Sequence, residues 1–115
     1  MSADILEGVL NDLDIDYYKE YKFHSSRKFR FDFFLPISSE IIKGIGIEYD
    51  GALWVRGRHQ TPKGFFNDTV KTNLALSSGF LVLRYTSEHL KNYESLELVK
   101  NEIKKTIKLY SKSIA

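Results

Sequence analysis

The chain has 115 residues, with 17 Lys and Arg against 15 Asp and Glu, and it contains no cysteine. This length fits one domain over residues 1–115 and leaves no room for a large enclosed pocket, so we expect any active site to be a shallow cleft. The lack of cysteine excludes disulfides and thiolate chemistry. A formal net charge of +2 is too small to indicate a nucleic-acid partner by itself.

No segment has the composition of a targeting signal or a membrane span. Residues 1–11 carry Asp4 and Glu7 without a basic cluster, unlike a secretory signal. No uninterrupted apolar run approaches the ~20 residues that a membrane helix needs. The sequence therefore predicts an intracellular, cytoplasmic protein without membrane association.

Hydrophobic periodicity predicts a helix followed by two extended segments in the first third of the chain. Apolar residues recur at helical spacing over 5–13, and an extended segment follows over 17–22. Residues 28–35 alternate between aromatic and polar types, which predicts a strand. This alternation predicts that one face of the strand belongs to the core and carries Phe29, Phe31 and Phe33.

The rest of the chain predicts two more strands and two more helices. A strand is expected over 44–50, and a polar loop over 51–64 leads to a helix over 65–76. The core side of that helix should carry Phe66, Val70 and Leu74. A compact apolar run over 80–85 suits an interior strand, and a helical stripe over 96–110 closes the chain. The predicted class is α/β, a mixed central sheet flanked by helices in the order α-β-β-β-α-β-α.

Three carboxylates interrupt the apolar strands and are the first indication of chemistry. Glu48 and Asp50 are two residues apart, so their side chains leave the same face of a strand. If the strand that holds Asp32 is adjacent, the three acids converge and offer the oxygen ligands that Mg²⁺ or Mn²⁺ prefers. The alternative is that these acids lie at strand ends, facing water or paired with Arg30, Arg84 or Lys71.

Basic residues flank the acids on both sides in the sequence. A metal-bearing acidic centre with a cationic rim suits a phosphodiester, because the metal neutralises transition-state charge while the cations hold the backbone. A basic run this short is also typical of a solvated loop. The candidate DNA contacts are Arg27, Lys28, Arg30, Arg56, Arg58, Lys63 and Arg84. For Arg84, a pair with a carboxylate of the site is an equal alternative.

Three stretches together resemble the PD-(D/E)XK superfamily of endonucleases, in the branch related to very-short-patch-repair endonucleases and small phage-type nucleases. They are RKFRFDFFLP over 27–36, IEYDG over 47–51, and the segment 57–86 that begins GRHQ and ends GFLVLRYT. The resemblance extends over more than half of the chain and keeps the order of its pieces. It implies a restriction-endonuclease-like fold and metal-dependent DNA cleavage.

The resemblance also assigns residues by position. Asp32 matches the first metal-binding acid and Glu48 the second, with the main-chain carbonyl of Tyr49 as a further ligand. The superfamily's lysine, expected two residues after the second acid, is replaced here by Asp50. Lys71, on the helix that follows, is available in its place. Which group activates the attacking water therefore stays open.

These residues together predict an endodeoxyribonuclease that uses Mg²⁺ or Mn²⁺ on branched, mismatched or phage DNA, in repair or recombination. Asp50 would assist Asp32 and Glu48 at the metal. His59 resembles the histidine that follows the acid motif and could protonate the leaving group, donate to the scissile phosphate or bind a second metal. A homodimer is a further expectation, since two-fold pairing lets a small domain cut both strands. Two alternatives stay open, a non-catalytic DNA-binding module and an interaction subunit of a larger nuclease assembly.

Overall fold

The computed structural model describes residues 2–51, 54–55, 58–59 and 61–112, with only the backbone at 2, 54–55 and 58–59. The helices are α1 (Ser2–Asp12), α2 (Pro62–Ser77) and α3 (Tyr93–Tyr110), with a 3₁₀ turn over Ser87–Leu90. The strands are β1 (Tyr18–Lys22), β2 (Arg30–Pro36), β3 (Gly44–Tyr49), β4 (Trp54–Val55), β5 (Arg58–His59) and β6 (Phe80–Tyr85). Among the helices described, none is long and apolar enough to cross a membrane.

Four strands form a mixed sheet in the order β1-β2-β3-β6. The pairs β1–β2 and β2–β3 are antiparallel, whereas β3 and β6 are parallel and α2 lies in the connection between them. The predicted α/β class with a mixed sheet and helices is confirmed. The predicted element order lacked the 3₁₀ turn and the antiparallel pair β4–β5, because two-residue strands are too short to produce a periodic pattern.

Helices pack on both faces of this sheet. Alternate residues of β3 and β6 point to opposite faces, so they separate two apolar clusters. The α1/α3 core contains Leu6, Val9, Leu10, Phe33, Leu35, Ile45, Ile47, Tyr85, Leu90, Val99 and Ile103. The α2 core contains Phe23, Phe31, Phe34, Ala75 and Phe80. The functional candidates described below lie on the α2 side, at the end of β3.

The prediction that Phe29, Phe31 and Phe33 share one face of β2 is wrong. Phe33 belongs to the α1/α3 core, whereas Phe31 is buried in the α2 core and Phe29 packs against that same cluster. The side-chain alternation therefore breaks between Phe31 and Phe33, at Asp32. In the neighbouring strand β1, Glu20 adopts a left-handed backbone with φ of 52° at the same level, between the pairs Lys19↔Phe33 and Tyr21↔Phe31.

The prediction that Phe66 faces the core is also wrong, because its side chain is 65% exposed. The helix begins earlier than predicted, at Pro62, where the Thr61 hydroxyl accepts a hydrogen bond from the Gly64 amide at 3.1 Å. Ala75 is the fully buried residue described in α2. Thr72, three residues earlier, shares its face of the helix, whereas Phe66 lies on another face. Leu74 packs against the α2 core as predicted. Beside it a polar stripe through Thr72 also faces the sheet, which the apolar pattern did not indicate.

The absence of a side chain at Gly46 lets the Phe31 ring pack directly against the backbone of β3 in the α2 core. A Cβ atom there would lie 2.4 Å from Cδ1 of Phe31, which is 1% exposed and stacked on Phe23 at 4.3 Å between ring centroids. We expect Gly46→Ala to lower the free energy of unfolding by about 1–3 kcal/mol in chemical denaturation, because the ring has no space to move into. Gly8→Ala in α1, where nothing lies within 4 Å of the added atom, should instead be neutral or stabilising. Equal stability of Gly46→Ala and the parent would contradict this packing argument.

Candidate active site

The acids singled out from the sequence lie at one end of the sheet. Asp32 is close to the start of β2 and Glu48 to the end of β3, and these two strands are antiparallel, so both residues reach the same edge. Strand β6 runs parallel to β3 and places Arg84 beside Glu48. The connection from β1 to β2 and the first turn of α2 also lie at this end of the sheet.

Side chains join β2 and β3 where their Cα pairing ends. The pairing runs from Pro36↔Gly44 to Phe33↔Ile47, and one further step would place Asp32 opposite Glu48. At that step the Asp32 amide donates to Oε2 of Glu48 at 2.9 Å. The Tyr49 amide donates to Oδ2 of Asp32 at 2.7 Å. The two carboxylates are thus held side by side by two backbone amides, one from each strand.

Lys71 reaches this pair of acids from α2. Its Nζ donates to Oε1 of Glu48, whose side chain is 9% exposed, while that of Lys71 is 18% exposed. Burial raises the pKa of Glu48, and the negative charge of Asp32 raises it further. The hydrogen bond and charge of Lys71 lower the pKa, as does the hydrogen bond from the Asp32 amide. The net direction is upward, so Glu48 is a buried acid whose charged form depends on its neighbours.

Asp50 has a different partner from the expected metal. Arg84 donates to both of its carboxylate oxygens, from Nε at 2.7 Å and from Nη2 at 2.9 Å. Nη1 of Arg84 donates to the Thr72 hydroxyl at 2.7 Å. Asp50 and Arg84 therefore neutralise one another, which is the alternative that the sequence left open for Arg84. Thr72 was missed by sequence reasoning, although its place next to Lys71 was visible.

The described residues fit a metal site with two carboxylates better than one with three. No group of three or more acidic or histidine side chains in the described part of the chain is arranged to hold an ion. Mg²⁺ binds through one or two carboxylates and fills its remaining positions with water and substrate phosphate. Asp32 and Glu48 suit that mode, since each carboxylate offers about four lone-pair positions and the hydrogen bonds use some of them. Asp50 is held by the Arg84 guanidinium through both of its oxygens, and its predicted part in the ligand set stays a prediction.

The candidate DNA contacts have separate outcomes. Arg27, Lys28 and Arg30 are exposed at the junction of β1 and β2, and Lys63 is exposed in the first turn of α2. Arg27 lies over the Phe29 ring at 4.6 Å from its centroid. Arg30 donates through Nη1 to the Glu20 carbonyl at 3.4 Å, and it alternates away from the α2 face because Phe29 and Phe31 pack toward α2. The structure therefore leaves Arg27, Lys28 and Lys63 exposed at the site end. Arg56 lies outside the described residues, as do the side chains of Arg58 and His59, while the His59 backbone pairs with that of Trp54.

The arrangement can hold a divalent cation on two acids with the Lys71 ammonium group beside it, while exposed cations lie in the connection from β1 to β2 and at the start of α2. Those are the elements that a phosphodiester requires, because its negative charge needs compensation in the ground state and in the transition state. Comparisons of the chain with protein families, with curated proteins and with solved structures found no match.

Proposed function

We propose that this chain is a metal-dependent endodeoxyribonuclease that hydrolyses phosphodiester bonds in DNA, with a restriction-endonuclease-like site of the PD-(D/E)XK type. The observation that carries the proposal is the pair Asp32 and Glu48, which adjacent strands bring together with Lys71 bonded to the second acid. Asp32, Glu48 and the carbonyl of Tyr49 are the proposed ligands of Mg²⁺ or Mn²⁺. When bound, the ion would neutralise charge on the phosphate and make water more acidic.

Lys71 has a restricted set of roles in this proposal. A protonated lysine has three N–H donors and no acceptor, so it cannot take a proton from water. One donor is engaged by Glu48, which leaves two that can orient water or bond a phosphate oxygen. In the proposal Lys71 acts as an orienting and charge-stabilising group, and its contact with Glu48 supports this role.

The exposed cations give the proposed DNA a path to the acids. Arg27 and Lys28 lie in the connection from β1 to β2, and β2 carries Asp32 close to its start. Lys63 lies at the start of α2, the helix that carries Lys71. Contacts of Lys and Arg with phosphates supply affinity without sequence information, and they weaken as salt rises. The DNA-binding role of this rim belongs to the proposal.

A second candidate function follows from the two closed ion pairs. Lys71 already compensates the charge of Glu48, and Arg84 already compensates that of Asp50. That pattern also suits a non-catalytic module that keeps this fold and uses Arg27, Lys28 and Lys63 to bind DNA. The two candidates differ in one measurable respect, because the module has no use for a divalent ion.

A substrate panel separates the two candidates. Linear, nicked, mismatched, flap and four-way-junction DNA are incubated with the whole chain in Mg²⁺, in Mn²⁺ or in EDTA. We expect cleavage of at least one substrate that requires the divalent ion. Salt-sensitive binding that ignores EDTA, with no cleavage of any substrate, would favour the module. Absence of both binding and cleavage would contradict both candidates.

A further inference from the structure

Arg84 is the point at which three elements of the site meet. From β6 it holds both oxygens of Asp50, the residue that follows β3. Through Nη1 it holds the hydroxyl of Thr72, in the second half of α2. Its Nη2 also lies 3.8 Å from Oδ2 of Asp68, one helical turn earlier. The guanidinium of Arg84 thus connects the end of β3 to the face of α2 that packs on the sheet.

The same turn of α2 carries the lysine of the site. Thr72 is the immediate neighbour of Lys71, so the bond from Arg84 to Thr72 and the bond from Lys71 to Glu48 hold adjacent residues of the helix. A lysine side chain is a flexible four-carbon stem and does not fix its own position, whereas the planar guanidinium of arginine is preorganised for two-point contact. The rigid contact between Arg84 and Thr72 can therefore determine where the flexible Lys71 side chain meets Glu48.

Burial makes the bridge from Asp50 to Arg84 more than a solvated surface pair. Their side chains are 23% and 28% exposed, and the geometry is bidentate. Burial works against the charge of Arg84, but the hydrogen bonds and charge of Asp50, with smaller contributions from Asp68 and Glu48, raise the pKa of its guanidinium overall. The guanidinium therefore keeps its charge in this partly buried setting.

We propose that Asp50, Arg84 and Thr72 form a positioning bridge that fixes α2 against the end of β3 and thereby holds Lys71 on Glu48. In this arrangement Asp50 and Arg84 act through Lys71, and they contact neither the metal nor the DNA. The effect on cleavage rests on the nuclease function proposed above. The effect on the placement of Lys71 does not, because it concerns the free protein.

The first test replaces the hydroxyl of Thr72 and observes Lys71 directly. Whole protein carrying ¹⁵N-labelled lysine side chains is compared by NMR as the parent, Thr72→Val and Thr72→Ser, and the Lys71 ammonium signal is assigned from its loss in Lys71→Arg. We expect Thr72→Val to shift or broaden this signal and Thr72→Ser to keep it, because serine retains the acceptor for Arg84. Thr69→Val is the matched control, since its hydroxyl bonds the Phe66 carbonyl on the same helix. An unchanged Lys71 signal in Thr72→Val would overturn the proposal whatever the cleavage assay gives.

The second test measures cleavage by the same variants. We expect Thr72→Val to lower kcat by up to about a hundredfold with little change in KM, as misplacement of a catalytic group by about 1 Å can do. In the Lys71→Gln background, Thr72→Val should have no further effect if it acts through Lys71. Full additivity of the two substitutions would overturn the proposal. A parent that cuts no substrate would contradict the nuclease function and leave the NMR result to decide the bridge.

Asp50→Asn distinguishes a positioning residue from a metal ligand. The asparagine keeps one oxygen for Arg84 but loses its charge, so the bridge is weakened rather than removed. We expect a lower kcat with an unchanged Mg²⁺ concentration for half-maximal cleavage. A rise of that concentration by more than about a hundredfold, beyond the 10- to 100-fold that outer-shell substitutions produce, would assign Asp50 to the metal and overturn its place in the bridge.

Discussion

Lys71→Met should lower the free energy of unfolding by about 3 kcal/mol near pH 8, because it leaves the charge of a buried acid without its partner. Glu48 is 9% exposed at its side chain, and Lys71 is its cationic partner among the contacts described above. Methionine keeps the length and much of the volume of the lysine stem, so packing changes little. The measurement is chemical denaturation of the parent and the variant over a range of pH.

The pH dependence of this loss follows from the direction of the Glu48 shift. Burial raises the folded-state pKa of Glu48 above its ordinary value of 4.5, and Lys71 opposes that rise. An acid whose pKa is higher in the folded state than in the unfolded state stabilises the protein fully at pH values below its unfolded pKa. This stabilisation is lost as the pH rises through the folded pKa. Lys71→Met removes the opposing charge, so it raises the folded pKa further and deepens the loss. The difference between parent and variant should therefore be small below 4.5 and grow as pH rises.

Lys91→Met is the matched control for Lys71→Met. Lys91 pairs with Glu88 in solvent, with side chains 56% and 78% exposed, and exposed pairs contribute between 0 and about 1 kcal/mol. We expect its effect to be small at every pH. If Lys71→Met costs no more than Lys91→Met, or costs the same amount at every pH, Glu48 does not depend on Lys71 for its charge.

Local patterns predicted the strands that carry the acids, but not which residues of β2 face the α1/α3 core and which face the α2 core. Period-two alternation is a property of a regular strand, so it assigns Phe31 and Phe33 to one face. The break between them is set by tertiary pairing, where Asp32 bonds the Tyr49 amide and Glu20 of β1 takes a left-handed backbone. Neither contact has a signature in the segment 28–35 itself, and so the position of Asp32 was predicted while its surroundings were not.

The partners of the charged residues show the same limit. Glu48 and Asp50 share one face by spacing, which made a joint metal site the natural expectation. Which cation each acid binds depends on α2 and β6, which are distant in the sequence and reach β3 only through the parallel pairing of the sheet. The sequence offered Lys71 and Arg84 as partners for the acids in general. It could not assign Lys71 to Glu48 and Arg84 to Asp50, since both cations are compatible with either acid by charge alone.

Glu48→Gln should strongly reduce metal-dependent cleavage while the chain still folds, at some cost in stability. The glutamine oxygen can still accept the hydrogen bond from the Asp32 amide, and the loss of the buried charge removes its desolvation cost, but Lys71 loses its carboxylate partner. A neutral amide is a poorer ligand for a hard divalent ion, and the ion's contribution to a transition state is several kcal/mol. We therefore expect the rate to fall by about a hundredfold or more under Mg²⁺, at one tenfold step for each 1.36 kcal/mol.

Two comparisons make this result specific to the acid pair. Asp32→Asn should reduce cleavage to a similar extent, and the double variant should add little to either, because both residues are proposed to serve one ion. Glu102→Gln should cut as the parent does, since Glu102 accepts a hydrogen bond from the Tyr85 hydroxyl at 2.9 Å, on the opposite side of the sheet. Cleavage at the parental rate by Glu48→Gln or Asp32→Asn would remove the chemical basis of the proposed nuclease. A loss of cleavage that parallels a loss of folded protein would make Glu48 a structural residue instead.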